Sequence, residues 1–123
     1  MSKILLSIKP EYAHKILEGT KKYEYRKHLP KKKIDKIIIY STAPEGIVIG
    51  EVQVDAILSG SPTAIWETSK KNSGISREKY RKYFKGCKTA IAFCLSNPII
   101  YQEITTLSDM GICFSPQSFI YLE

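Results

Sequence analysis

Lys21, Glu24 and Arg26 fall within the segment Gly19-Thr20-Lys21-Lys22-Tyr23-Glu24-Tyr25-Arg26. An amine, a carboxylate and a guanidinium this close together can move a proton, activate a water or hold a phosphate. Lys22 to Lys27 alternates as a strand does, with successive side chains on opposite faces. The alternation places Lys22, Glu24 and Arg26 on one face and Tyr23 and Tyr25 on the other. Two readings follow: an ion-pair network that ties neighbouring elements together, or the polarised wall of a cleft. Exposed ion pairs contribute only about 0–1 kcal/mol each, so stability is a weak reason to gather these charges.

The elements around the segment must position it. Pro10 to Glu18 reads as a short amphipathic helix, with proline at its first position and Gly19 as the left-handed residue that closes it. Strands are predicted at Lys3 to Ile8, Lys36 to Ser41 and Gly46 to Leu58, the last broken in its alternation at Gly50 and Glu51, as at a bulge. Ser61-Pro62 opens a second helix that ends by Asn72-Ser73-Gly74. Ser76 caps a third, closed by Lys85 and Gly86. Thr89 to Leu95 and Ile99 to Ile104 read as two strands joined across Ser96-Asn97-Pro98. A turn at Leu107 to Gly111 precedes the apolar Phe119 to Leu122. The pattern predicts an α+β domain, a small β-barrel of five to six strands with short flanking helices, since closure removes exposed strand edges.

At 123 residues and 43% hydrophobic, residues 1–123 are expected to form one domain with a real core. No apolar run reaches the roughly 20 residues of a membrane helix, and no leader pattern is present, so the chain is expected in the cytoplasm. Cys87, Cys94 and Cys113 lack close spacing and are expected as buried, reduced thiols, with no metal and no cofactor. Net charge is +7. Residues 21–36 hold eight bases, Lys22 and Lys27 among them, against two acids. A second basic run covers 70–88, interleaved with Tyr80, Tyr83 and Phe84. Clustered bases of this kind suit a polyanion partner, RNA or a nucleotide. Ser41 and Thr42 end a predicted strand, where they terminate it or lend hydroxyls to the same cleft. Trp66, the sole tryptophan, reads as a core residue or as a base-stacking platform worth roughly 1–3 kcal/mol per base.

Leu5-Leu6-Ser7-Ile8-Lys9-Pro10-Glu11-Tyr12-Ala13, followed by Ile16, Gly19, Lys21, Glu24 and Arg26, resembles the opening motif of the ASCH domain family. The likeness continues through Ile37 to Tyr40, Ile49-Gly50-Glu51, Trp66, Gly74-Ile75 and Pro116-Gln117-Ser118-Phe119. That family belongs to the PUA-like β-barrels, beside the EVE and YTH domains. The resemblance implies a module of RNA metabolism or transcriptional regulation with a ligand cleft at the barrel mouth. It also implies two enzyme alternatives: an N4-acetylcytidine amidohydrolase, or a ribonuclease of single-stranded RNA. The amidohydrolases use a lysine and a threonine of this motif with a later glutamate. Lys21 matches that lysine, but Glu24 stands where the threonine nucleophile would be. A carboxylate there cannot be activated as a hydroxyl nucleophile by the lysine, though it could serve as general base for a water or, with Lys21, as an acid–base pair. Glu51 and Glu67 are the candidates for the later glutamate.

Overall fold

A computed structural model of the chain describes residues 2–122. The chain runs β1 (Ser2–Ile8), α1 (Pro10–Glu18), β2 (Tyr23–Arg26), β3 (Ile34–Ser41), β4 (Ile47–Gly60), α2 (Pro62–Ser69), α3 (Arg77–Tyr83), β5 (Ala90–Thr105) and β6 (Phe119–Leu122). Short 3-10 turns occupy Lys70–Asn72 and Ser108–Met110. The expected helix starts and stops are present. Gly19 closes α1 at φ 87°, and the Ser61 and Ser76 hydroxyls accept the Ala64 and Lys79 amides.

The six strands form one mixed sheet in the order β2-β5-β4-β3-β1-β6. β1 runs parallel to β3, and every other pair is antiparallel. Alternation sorts the side chains into cores on either side of the sheet. Ile4, Leu6, Ile8, Ile37, Ile39, Phe93 and Leu95 share one cluster, which Ala13, Ile16 and Leu17 of α1 plug. On the other face, Tyr25, Ala90 and Ala92 pack beneath Ile65, Tyr80 and Phe84 of α2 and α3. A third cluster joins Leu5, Ile38, Tyr40 and Val48 with Leu107, Met110 and Ile112.

Bulges explain where β4 departs from strict alternation. Val48 faces the third cluster, whereas Val52 and Val54 face the first. An extra residue in β4 between Val48 and Gly50, which pair with the adjacent Tyr40 and Ile39, supplies the change of face. Gly50 is required there, because a Cβ would run into the Ile99 carbonyl oxygen and Leu17.

Two expectations are corrected. Thr89 to Leu95 and Ile99 to Ile104 are one strand, β5. Ser96 pairs with Gln53 and Ile99 with Glu51, so Asn97 (φ 50°) and Pro98 are absorbed in a bulge rather than a turn. Proline is tolerated there because a bulge does not require its missing N–H. The expected α+β barrel is present in a loose form whose backbone ladder does not close. β2 and β6 end the sheet, and the gap between β2 and β1 is bridged by a side chain: Arg26 Nη2 donates to the Ser7 carbonyl at 2.9 Å. The cysteine expectation is also revised, since Cys87 and Cys94 are half-buried and Cys113 is exposed.

Among the described residues no helix is long and apolar enough to cross a membrane.

Candidate functional site

Three neighbouring features of the chain build the corner where β2 meets β1. Gly19 turns the chain sharply off α1, so Lys21 drops beneath the helix it has just left. β2 then sets Glu24 and Arg26 on one face, and the segment after α2 closes over the top.

Lys21 is only 2% exposed. Its ammonium donates to the Ser73 carbonyl at 2.6 Å and lies 4.8 Å from the Tyr25 ring centre and 5.5 Å from that of Tyr12. Among the described residues it makes no ion pair. Burial holds its pKa below the ordinary lysine range; Glu24 pulls the other way, while Lys15 and Arg26 push with burial. Gly74, at φ 65°, lies against its stem, and a Cβ there would sit 2.5 Å from Lys21 Cβ.

Glu24, also buried, projects from the other face of β2 and acts on Lys21 through its charge without touching it. Arg26 donates to Glu24 Oε2 from Nε at 3.0 Å and from Nη2 at 2.7 Å. With Nη2 also on the Ser7 carbonyl, the guanidinium is fixed on two sides. Its Nη1, with two N–H donors, makes no hydrogen bond to a described residue. Tyr25 forms the floor: its hydroxyl meets Ser69 Oγ at 2.7 Å, and burial pushes its pKa up to about 12.

The other sequence candidates lie elsewhere. Lys22 is exposed, and exposed Lys27 sits 4.8 Å over the Tyr83 ring. Ser41 is fully buried and donates to Glu45, which His14 Nε2 also meets at 2.9 Å, so its hydroxyl serves a clamp between α1 and the β3–β4 turn. Those two contacts hold Glu45 below the usual carboxylate range. Trp66 packs on Tyr80 at 4.6 Å in the α2–α3 layer, away from the Lys21 corner. Neither later glutamate contacts the corner. Glu51 binds Lys36 and Tyr101 on the opposite side of the sheet, and exposed Glu67 binds Lys70. Sequence reasoning missed Tyr12 and Ser73 as neighbours of Lys21, having read Asn72-Ser73-Gly74 only as the end of the second helix. Among the described residues no group of three or more His, Cys, Asp or Glu could hold a metal ion.

The profile of the ASCH domain matches residues 6–104. This chain belongs to the ASCH domain family. An ASCH domain-containing ribonuclease of Zymomonas mobilis is 33% identical over 122 residues, covering 96% of this chain and 82% of that protein. The crystal structure of ASCH from Zymomonas mobilis matches with a TM-score of 0.88 at 30% identity, covering 98% of this chain and 87% of that one. The N-terminal domain of Staphylothermus marinus McrB matches with a TM-score of 0.53 at 14% identity, over 88% of this chain and 78% of that one, a likeness of fold alone. The ASCH domain described here thus has the PUA-like α+β fold, with its last gap spanned by Arg26.

Proposed function

We propose that this ASCH domain binds single-stranded RNA at the Lys21–Glu24–Arg26 corner, with strand cleavage there as the specific reading favoured by its Zymomonas relative. The observation that carries the reading is Lys21, a buried ammonium with no carboxylate in contact. Folding gains little from such a group, and strongly perturbed, desolvated titratable residues gather at functional sites.

The chemistry follows from the surroundings. An ammonium held below its ordinary range gives up its proton more readily than a solvated lysine, which suits general acid–base work on a ribose hydroxyl or a leaving oxygen. A substrate oxygen would take the place of the Ser73 carbonyl as acceptor. Arg26 Nη1 would hold a phosphate oxygen, and Glu24 would keep the guanidinium aimed. The basic surfaces at 21–36 and 70–88 would draw in the strand.

The test is incubation of labelled single-stranded RNA with wild type and Lys21→Met, following cleavage by gel and binding by anisotropy; N4-acetylcytidine is run alongside. Cleavage by wild type, reduced about 100-fold or more in a folded Lys21→Met, is the expected result. Binding without cleavage would reduce the function to recognition. Turnover of the acetylated nucleoside alone would transfer the corner to amide hydrolysis. No binding and no turnover would sink the proposal.

A further inference from the structure

Between α2 and α3 lies an open cavity of about 390 Å3 that the Lys21 corner does not use. Its lining includes Trp66 and Tyr80, with Arg77 and Arg81 along one rim. The arginines are four residues apart on α3, so they project from the same side of the helix. Both are exposed, and neither side chain makes an ion pair or hydrogen bond among the described residues. Glu67 also lines the cavity, but its carboxylate is met by Lys70 at 2.8 Å. Residues 70–88 carry eight bases against the single acid Glu78, so the surrounding field is positive.

We infer that the α2–α3 groove is a second nucleic-acid contact, in which a base of single-stranded RNA stacks on Trp66 while Arg77 and Arg81 hold its flanking phosphates. Arg77 acts on Glu67 through its charge, but neither guanidinium is hydrogen-bonded to a described residue, and an indole beside two such groups matches a nucleotide in both its parts, a flat aromatic base and a phosphate. An acidic peptide would satisfy the arginines and leave the indole without a partner. Position favours the same strand reaching both sites. Lys21 Nζ lies 4.8 Å from the Tyr25 ring centre, Tyr25 4.9 Å from Tyr80, and Tyr80 4.6 Å from Trp66, so no more than about 14 Å separates the corner from the groove. That line runs through the buried Tyr25 and Tyr80 rings, so a strand joining the two sites passes over the surface around them. The groove would therefore grip bases beside the one presented to Lys21.

The inference rests on the RNA reading of the Lys21 corner, and one titration separates the two. Because Trp66 is the sole tryptophan, its emission, excited beyond the tyrosine absorption band, reports on the groove alone. The probe is a labelled single-stranded RNA of about eight nucleotides, a length within the usual site sizes for single-strand binders. Anisotropy follows total binding while tryptophan emission follows stacking, with polyglutamate as the control polyanion. The expected result is quenching that tracks RNA binding. Arg77→Ala with Arg81→Ala should weaken affinity and make the log–log salt slope shallower by about 1.4. Trp66→Phe should keep affinity, and Trp66→Leu should lose about tenfold. RNA bound with unchanged emission and a wild-type salt slope in the arginine variant would overturn the groove and leave the Lys21 corner standing. Equal quenching by polyglutamate would also overturn it, as charge without base recognition. Absence of RNA binding would remove both.

Discussion

Lys36 reaches across from β3 to Glu51 on β4 at 2.8 Å, with nearly half its side chain in water, and that contact raises its pKa. Lys21 is 2% exposed, touches no carboxylate, and has its pKa lowered by burial. The two lysines differ in what a missing amine would take away. Lys36 contributes a half-exposed ion pair at the edge of the third cluster, where water can substitute for its amine. Lys21 sits where water cannot substitute, so its charge is held in place by a carbonyl and two aromatic faces. The contrast is what motivates the proposed site: a charge that folding does not reward needs another reason to be there.

The hardest challenge to this contrast is Arg26→Ala. It would strand the Glu24 carboxylate and open the gap between β2 and β1. A loss of about 2–4 kcal/mol in chemical denaturation is expected. A loss near zero would show that the corner is wetter than its burial implies. Gly74→Ala comes next. Its Cβ meets the Lys21 stem at a backbone angle that disfavours side chains, so about 1–3 kcal/mol should be lost, and the Lys21 amine should react faster with acylating reagents. Unchanged reactivity would separate the turn from the lysine.

The pH dependence is smaller and its sign is fixed. A lysine whose pKa is lowered by folding is protonated in the unfolded chain while already neutral in the native one. Between the folded value and the ordinary value near 10.4, the unfolded state binds more protons, so stability contributed by this group rises with pH. Wild type minus Lys21→Met, measured by denaturation across that alkaline window, should show the rise; a flat difference would mean that Lys21 titrates as a solvated amine. Taking the difference also removes the contribution of Tyr25, whose pKa burial raises. The smallest effect belongs to Lys36→Ala, whose melting temperature should match wild type within error. A clear drop would erase the contrast between the two lysines.

What was legible in the sequence follows the range of the forces involved. Pro10, Gly19, Ser61 and Ser76 act on backbone within a few residues, and each marks a helix boundary where it was read. Asn97-Pro98 misled because those residues also form turns; only the ladder to β4 decides that the strand continues through them. The number of strands was readable, but the way the sheet ends was not, since Arg26 finds the Ser7 carbonyl only in three dimensions. The corner was half legible. The spacing of Glu24 and Arg26 on one strand face announced their pairing. The burial of Lys21 depends on Ser73, 52 residues further on, and no local pattern carries that.

The sheet's order of assembly has its own consequence. Lys3 pairs with Leu122 and Tyr23 with Cys94, so both outer ladders join segments far apart in the chain. Loop closure must be met before either ladder rewards it, which places folding toward the slow, millisecond-to-second regime of non-local β topologies. Until Phe119 to Leu122 arrives, β1 offers an open row of amides and carbonyls with Ile4, Leu5 and Leu6 beside it. For that interval the apolar first strand is the segment most exposed to pairing with another molecule, and the final strand acts as its built-in chaperone.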